Sequence, residues 1–524
     1  MQKIAVIDRD EAHFAQATRQ MLETGNYFQI RFQNVTRFQK PPGINWLQSL
    51  SVKLFSNSAS TEIWPYRIPS AFGAIFSVWL LYYFCLQYTN NITAIIAAAL
   101  LASSLLVVIE SHMAVIDSSL LSSVVLMQGS LLLIYTSKLN KPILWPLCFW
   151  VSMAYGFLLK GVTPWIACLT IGFLCILDKN LSLLKQVRWI AGSILLLLIT
   201  LSWLLLVNAA EHSNYLMQMF RHDLLPKLQG GHESHGHWPL FHLALLPLMF
   251  WPASLFILQA VEFAVIHRRQ KLTKFLIAWI IPTWIFFECM PTKLPQYVLP
   301  TFPAIAWLAA MGIYSGRNLP TMKWNFILQY GWLIFSLGLI CVTYYLIYWL
   351  LDGLRIWEWC MAGVAIGCSI AATVTLRKQF YNQSLGYILL LALSIYPIFF
   401  GSVLPNLGSI LIGSKIESLI KTNQLVHLKK LTQSSPLLIV GYNEPSVVFN
   451  IGTNLVDFTN IDRAISLLKV REANRWLLIE TRQFDSWIGS RIFLKKYHLD
   501  ILGTISGLNY STGHWVGMLL IGDK

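Results

Sequence analysis

Charged side chains are scarce in this chain: Asp, Glu, Lys and Arg together make up 12% of its 524 residues. Hydrophobic residues account for 56%, and a soluble fold of this length cannot bury so much apolar surface. The scarcity of charge therefore excludes an ordinary soluble protein. We predict an α-helical polytopic membrane protein instead.

The cysteines and the N-terminal residues exclude further features of this membrane protein. The eight cysteines lie inside apolar stretches at spacings unlike those of zinc ligands, so they indicate neither a disulfide framework nor a metal site. No signal peptide is expected, because "MQKIAVI" is too short for its apolar region and a charged run, residues 8–11, follows at once. Within that run we expect Asp8 and Arg9 to be solvated.

Apolar runs long enough to cross a hydrocarbon core of about 30 Å recur along the middle of the chain. They predict that residues 70–412 form a membrane-embedded body. We predict about twelve transmembrane helices in this body: 70–88, 92–109, 118–136, 142–158, 163–177, 189–208, 239–263, 275–290, 297–315, 324–350, 357–376 and 385–412.

The distribution of basic residues predicts the orientation of this body. The net charge is +15, and Lys and Arg concentrate in alternate connections between the predicted helices, such as residues 268–274. Short loops with this bias lie on the cytoplasmic side of a membrane. The opposite connections, including a long loop at 209–238, are then periplasmic. Because basic patches with interleaved aromatics are missing outside the cytoplasmic loops, we expect no nucleic-acid partner.

The two ends of the chain are predicted to be periplasmic as well. In residues 1–69, Phe14 and Met21 share one helical face and Ile44 and Leu47 share another, which predicts two amphipathic helices lying in the membrane interface. To bring this segment across the membrane, we expect a further apolar helix before Met1. That helix would be the first transmembrane helix, missing from this sequence.

Residues 413–524 change in character, with more charge and shorter apolar runs. Residues 436–440, 475–480 and 514–521 have the composition of strands, and residues 460–470 have the pattern of a helix. We therefore predict a small C-terminal α/β domain on the periplasmic side.

Acids and bases collect at the predicted periplasmic helix ends. A basic group formed by Lys40, Arg67, Lys160 and Lys293 would suit a phosphate whose lipid tail stays in the bilayer. A carboxylate beside the phosphate could take a proton from an attacking hydroxyl. Together these residue types favour group transfer from a lipid-linked phosphate.

Several of these residues also have simpler explanations. Asp10 stands where a helix N-cap is expected, and Lys40 precedes two prolines at a position typical of helix starts. The histidines of "GGHESHGHWP" (230–239) fit either a metal cluster or a solvated loop. Asp117 and Lys160 are different, because charge placed beside apolar runs is costly and usually functional.

Six motifs follow one another between residues 8 and 310: "DRDEAHFAQATRQM", "FQKPPGINW", "PYRIPSAF", "IESHMAVIDSSLL", "YGFLLKGVTPW" and "PTKLPQYVLPTF". Their order resembles that in the ArnT-like GT-C glycosyltransferases of family 39, which transfer aminoarabinose to lipid A. More distantly, it resembles that in the protein O-mannosyltransferases. The resemblance implies a GT-C fold and an integral enzyme of the bacterial inner membrane with a periplasmic active site.

The resemblance also implies residue roles. It makes Asp10 the base, with Glu11 its motif partner and Asp117 a second important acid. It places Lys40, Arg67, Lys160 and Lys293 near the phosphate of a polyprenyl-phosphate sugar donor of the undecaprenyl type. The 209–238 loop would lie near the entrance for a lipid A-like, glycan or protein acceptor, through Lys227, Glu233 and His235.

These roles predict an inverting single displacement with no required cofactor, although Glu233 and His235 could hold a divalent metal. The alternative is a transporter or flippase for a lipid-linked phosphate sugar. Transporters commonly place charges near the bilayer midplane and show a two-fold repeat, whereas here the charges lie toward one face and no repeat is visible. A scaffold that only binds polyprenyl phosphate would not depend on Asp10.

Overall fold

The computed structural model divides the chain into two compact units. It describes residues 4–57, 61–137, 143–161, 164–211, 214–221, 225–226, 238–315, 325–423, 431–470 and 474–523. The first unit comprises Met1–Thr36, Gln48–Tyr66 and Phe400–Lys524, and the second comprises Arg37–Leu47 and Arg67–Phe399. The three-segment division expected from the sequence stays a prediction.

An apolar helix occupies each of the twelve segments predicted to be transmembrane. Eight of the described helices are long and apolar enough to span a membrane, two bent helix pairs bring the number to ten, and Leu144–Lys160 and Pro164–Asp178 are shorter apolar helices. This confirms the predicted α-helical membrane fold. The helices are α3 Trp64–Leu86, α4 Asn91–Ser103, α5 Leu105–Ser111, α6 Asp117–Thr136, α7 Leu144–Lys160, α8 Pro164–Asp178, then Trp189–Glu211, Phe241–Met249, Ile257–Ile266, Lys271–Cys289, Phe302–Ser315, Asn325–Leu351, Ile356–Arg377 and Tyr381–Ile398.

Two of the predicted spans, 92–109 and 239–263, are bent rather than continuous. The angle between α4 and α5 is 63°, and that between Phe241–Met249 and Ala253–Ile266 is 113°. The two breaks are joined by a backbone hydrogen bond, in which Leu105 N at the first break donates to Trp251 O at the second, at 2.7 Å. The Tyr396 hydroxyl donates to Ser103 O at 2.7 Å and to Trp251 O at 3.0 Å. These bonds satisfy carbonyls that a membrane interior would otherwise leave unpaired.

Helix α6 packs closely on α3 because small residues line both. A Cβ on Gly73 would lie 2.7 Å from the Ser118 carbonyl oxygen, so only glycine permits this approach. Nearby, the Ser70 hydroxyl donates to Val115 O at 2.9 Å, and the Ser119 hydroxyl donates to Pro69 O at 3.2 Å. The start of α3 is thereby fixed against the corner between α5 and α6.

The first unit contains the predicted C-terminal α/β fold. Its five-stranded sheet has the order β4-β3-β5-β7-β6, in which β3 lies parallel to β4 and β5, and β7 runs antiparallel to β5 and β6. The predicted helix at 460–470 is observed as Ile461–Val470. The strands are β3 Leu437–Val440, β4 Val456–Phe458, β5 Trp476–Glu480, β6 Leu499–Leu508 and β7 Trp515–Asp523.

Strands β4 and β6 add to those predicted from the sequence. β4 has only three residues, too few for a period to show. β6 has no regular alternation of burial and contains a register shift between Ile501 and Gly503. The same unit contains helix α1, Arg9–Thr24, and a short hairpin of β1 Arg31–Phe32 and β2 Val35–Thr36. Helix α2, Gly43–Phe55, follows the hairpin.

Candidate functional site

Asp117 and Lys160 form an ion pair in the second unit. Asp117 is the first residue of α6 and Lys160 is the last residue of α7. The Lys160 Nζ donates to Asp117 Oδ1 at 2.7 Å, and the two side chains are 19% and 11% exposed. An acid at a helix N-terminus and a base at a helix C-terminus are each favoured by the helix dipole. The structure therefore pairs two charges that the sequence analysis singled out only for standing beside apolar runs.

The ring of Tyr297 forms the next side of this cluster. Lys160 Nζ lies 5.2 Å from the ring centroid, which is the geometry of a cation–π contact. Tyr297 stands in a short 3-10 helix, Pro295–Thr301, which begins two residues after Lys293. Lys293 is only 4% exposed, and its Nζ donates to Met290 O at 2.8 Å. The turn therefore brings a second buried lysine and an aromatic ring into the same unit as the Asp117–Lys160 pair.

Arg67 and Glu110 are further ionisable residues near the corner between α5 and α6. Arg67 is fully buried, one turn before the Ser70 that binds Val115 O, and it lies within electrostatic reach of His112. Glu110 is 7% exposed and lies within reach of Lys160. Three predicted phosphate-binding cations and two acids thus lie in one helical body, all of them buried except Lys160, which is partly buried.

Lys40 is held by its backbone. The hydroxyl of Tyr215, which is fully buried, donates to Lys40 O at 2.9 Å and to Arg37 O at 3.1 Å. Next along the chain, a Cβ on Gly43 would lie 2.6 Å from Leu158 O, so the glycine of "KPPG" lets α2 start against α7. Leu158 lies two residues before Lys160 on α7. The segment that carries Lys40 is therefore anchored to the helix that carries Lys160.

The sequence analysis missed a pair formed by the buried His242 and the partly buried Glu288. Glu288 Oε1 accepts from the backbone N–H groups of His242 at 3.0 Å and Leu243 at 3.3 Å, and it lies 3.4 Å from His242 Nδ1. His242 Nε2 bonds to Leu294 O at 3.0 Å, the residue after Lys293. Both residues lie in predicted spans, where an ionisable side chain is itself a functional signal.

Known proteins share this architecture. Residues 39–205 match the family described as dolichyl-phosphate-mannose-protein mannosyltransferase. The undecaprenyl phosphate-alpha-4-amino-4-deoxy-L-arabinose arabinosyl transferase 1 of Pseudomonas fluorescens is 27% identical over 57% of this chain and 54% of its own length. The corresponding protein of Shewanella sediminis is 21% identical over 84% of this chain and 79% of its own length. The crystal structure of ArnT from Cupriavidus metallidurans bound to undecaprenyl phosphate covers 99% of this chain and 94% of that chain, with a TM-score of 0.74 and 16% identity.

The chain has the GT-C fold of ArnT, and its sequence is similar to that of ArnT-type glycosyltransferases. In the first of these matches it spans about half the length of the Pseudomonas fluorescens relative. The matched family region, 39–205, contains Lys40, Arg67, Asp117 and Lys160. The expected resemblance to the ArnT-like glycosyltransferases is confirmed.

The Asp-Glu motif of this ArnT-like chain opens helix α1 in the first unit. Asp8 is the N-cap, with its side chain accepting from Glu11 N at 2.9 Å. Asp10 stands in the first turn and is exposed, whereas Glu11 is fully buried. The simpler explanation of Asp10 as the helix cap is therefore wrong, because Asp8 fills that position.

Asp8 also differs from the solvated residue that we expected. Burial, together with the neighbouring charge of Asp10, raises the pKa of the Asp8 carboxyl to about 6. Arg9 is more exposed, and its Nε lies 3.9 Å from Glu444 Oε2. The carboxyl group of Glu444 is itself desolvated, which raises its pKa. The charged run at residues 8–11 is thus partly buried in the first unit and not fully solvated.

The predicted acceptor residues Lys227, Glu233 and His235 lie outside the described residues. So does the metal site suggested for Glu233 and His235, and a divalent metal stays a prediction. Among the residues that the structure describes, no three His, Cys, Asp or Glu side chains are grouped as metal ligands.

Proposed function

We propose that this chain transfers a sugar from a polyprenyl-phosphate donor of the undecaprenyl type to an acceptor on the periplasmic face of the bacterial inner membrane. The acceptor is a lipid A-like lipid, a glycan or a protein. The observation that carries the proposal is the buried Asp117–Lys160 pair against Tyr297, in a unit that also buries Arg67 and Lys293. The named relatives, arabinosyl transferases of undecaprenyl phosphate-aminoarabinose, support the donor class.

The cations compensate the charge of the leaving group. Breaking the bond between the anomeric carbon and the phosphate oxygen leaves polyprenyl phosphate, a good leaving group that needs charge stabilisation rather than a strong general acid. Lys160, Lys293 and Arg67 supply fixed positive charge, with Lys40 as a further ligand. Asp117 holds the Lys160 ammonium at 2.7 Å, which limits its rotamers before the donor binds.

Asp10 is the proposed base. It takes the proton of the acceptor hydroxyl as that oxygen forms its bond to the anomeric carbon, opposite the departing phosphate, so the anomeric configuration inverts. Glu11, the buried motif partner, keeps the helix start in place. No nucleotide or other cofactor is required, because the donor already carries the activated bond.

The proposal is tested by following a radiolabelled sugar from the donor to the acceptor. Membranes containing the full-length protein are incubated with radiolabelled undecaprenyl-phosphate sugars, and lipid A, glycan and protein fractions are counted. We expect label in one fraction, and we expect Asp10→Asn to lose most of this transfer while still binding the donor. Asp485→Asn, which changes an exposed acid of the same unit, is the matched control. Movement of the donor across the bilayer without covalent transfer would contradict the proposal.

A further inference from the structure

Helix α1 contacts the rest of the first unit through polar side chains. Gln16 and Thr18 are fully buried and Arg19 is 7% exposed, on the helix that begins with the Asp-Glu motif. Burying a polar group costs free energy unless it is hydrogen-bonded. An interface of this kind therefore favours one arrangement of the helix, whereas an apolar face tolerates sliding and rotation.

Thr453, which lies between the helix Pro445–Ile451 and β4, is the centre of this interface. Its hydroxyl accepts from Gln16 Nε2 at 2.8 Å and donates to Glu23 Oε2 at 2.6 Å. Gln16 and Glu23 are two helical turns apart, so one hydroxyl fixes α1 at two levels. The backbone oxygen of Thr453 also accepts from Gln33 Nε2 at 3.1 Å, in the hairpin that follows α1.

Arg19 fixes the same helix to the end of Pro445–Ile451. Its Nη1 donates to Phe449 O at 2.6 Å and its Nε donates to Glu23 Oε1 at 2.8 Å. Carbonyl groups in the last turn of a helix lack intrahelical partners and carry the negative end of the helix dipole. The guanidinium therefore joins the carboxylate of Glu23 to the C-terminal end of a neighbouring helix.

The rotation of α1 decides which acid of its motif is accessible. Successive residues of an α-helix are separated by about 100° around the axis. Asp10 is exposed and Glu11 is fully buried, so a rotation by one residue in one direction would turn Asp10 toward the buried side that Glu11 now faces. The contacts at Gln16, Arg19 and Glu23 oppose that rotation.

We propose that Thr453 is a positioning residue for Asp10: through Gln16 and Glu23, the C-terminal α/β fold sets the rotation of α1 and thereby the direction of the Asp10 carboxylate. This inference rests on the proposed function, in which Asp10 is the base. It gives the C-terminal fold a role in the transfer step, separate from binding of the donor.

The experiment compares three variants of the full-length enzyme. Thr453→Val removes the hydroxyl at nearly constant volume, Thr453→Ser keeps it, and Thr459→Val is the control. The Thr459 hydroxyl has no hydrogen-bond partner among the residues described. We expect Thr453→Val to lower kcat on the order of 10–100-fold with an unchanged donor KM, because small misplacements of a reacting group cost that much. Thr453→Ser and Thr459→Val should stay within about twofold of wild type by the same argument.

Hydrogen exchange separates positioning from unfolding. We expect Thr453→Val to speed amide exchange in α1, while β3, β4 and β5 stay protected as in the wild type. Unchanged exchange in α1, an unchanged kcat, or loss of protection throughout the sheet would each overturn the inference. Failure of the proposed base is distinguishable, since Asp10→Asn would then turn over normally while Thr453→Val still released α1.

Discussion

Lys160 and Asp117 join the end of α7 to the start of α6 through a 2.7 Å hydrogen bond between ions. Their side chains are 19% and 11% exposed, so water screens the pair only weakly. A charge left alone at such a site cannot be solvated well. The pair therefore serves the fold and the proposed phosphate site together, and substitutions at it should affect both.

Replacing either partner should reduce transfer and stability. We expect Lys160→Met and Asp117→Asn each to cost several-fold to a hundredfold in transfer, and about 1–3 kcal/mol of stability, because each leaves the other group without its ionic partner. Transfer from the labelled donor and thermal unfolding in detergent measure the two effects. The double variant should be less destabilised than the sum of the single variants.

A second ion pair of the same unit is the control. Lys274 Nζ lies 2.5 Å from Asp178 Oδ1, with side chains 25% and 27% exposed. Lys274→Met should change stability by about 1 kcal/mol or less, since more exposed pairs contribute little. Transfer should stay at the wild-type level. Equal losses of transfer in Lys274→Met and Lys160→Met would mean that any broken ion pair disturbs the helical body.

The sequence predicted the helical segments well and their breaks poorly. Long apolar runs need no distant partner to be recognised, whereas the break between α4 and α5 depends on the bond from Leu105 N to Trp251 O, about 150 residues away. The sequence analysis singled out Asp117 and Lys160 separately, because charges beside apolar runs are costly, and the structure shows that they form a pair.

The sequence was less informative about the surroundings of those charges. Tyr297 contacts Lys160 only because the turn after Lys293 folds back, and aromatic residues are too common in this chain to single one out. Asp8 and Asp10 both fit the spacing of an N-cap, and only the backbone geometry selects Asp8. Lys227, Glu233 and His235 stay predictions from the motif resemblance.

The raised pKa of Asp8 gives a prediction about pH. Its pKa in the folded protein is about 6, above the ordinary value of 3.8, so the folded state holds a proton that the unfolded state releases between these values. Asp8 should therefore destabilise the fold increasingly as the pH rises from 4 to 6, with no further change above.

The variant Asp8→Asn isolates this effect, because asparagine also caps helices but does not titrate. Relative to the wild type, the variant should gain stability between pH 4 and pH 6. Melting temperatures of both proteins, measured at intervals across this range, report the difference. A constant difference at every pH would show that Asp8 titrates normally in the folded protein.

The contact of Lys160 with Tyr297 predicts a requirement for a ring. Tyr297→Phe keeps the aromatic face 5.2 Å from the ammonium and should transfer sugar at close to the wild-type rate. Tyr297→Leu removes the cation–π contact and should lower kcat/KM by about 2- to 30-fold, the equivalent of about 0.5–2 kcal/mol. If Tyr297→Phe is as impaired as Tyr297→Leu, the hydroxyl rather than the ring is the important group.

Glu288 should control donor binding through the segment that carries Lys293. Its Oε1 accepts from two backbone N–H groups, of His242 and Leu243, and His242 in turn bonds to Leu294 O. Glu288→Leu removes this acceptor and frees the turn before Tyr297, so we expect the donor KM to rise severalfold, with a stability loss of about 1–3 kcal/mol. Glu288→Gln keeps a carbonyl acceptor in the same place and should restore most of the binding. Titration of the detergent-solubilised enzyme with undecaprenyl phosphate measures the affinity directly. An affinity equal to wild type in Glu288→Leu would show that the position of Lys293 does not depend on the His242–Glu288 pair.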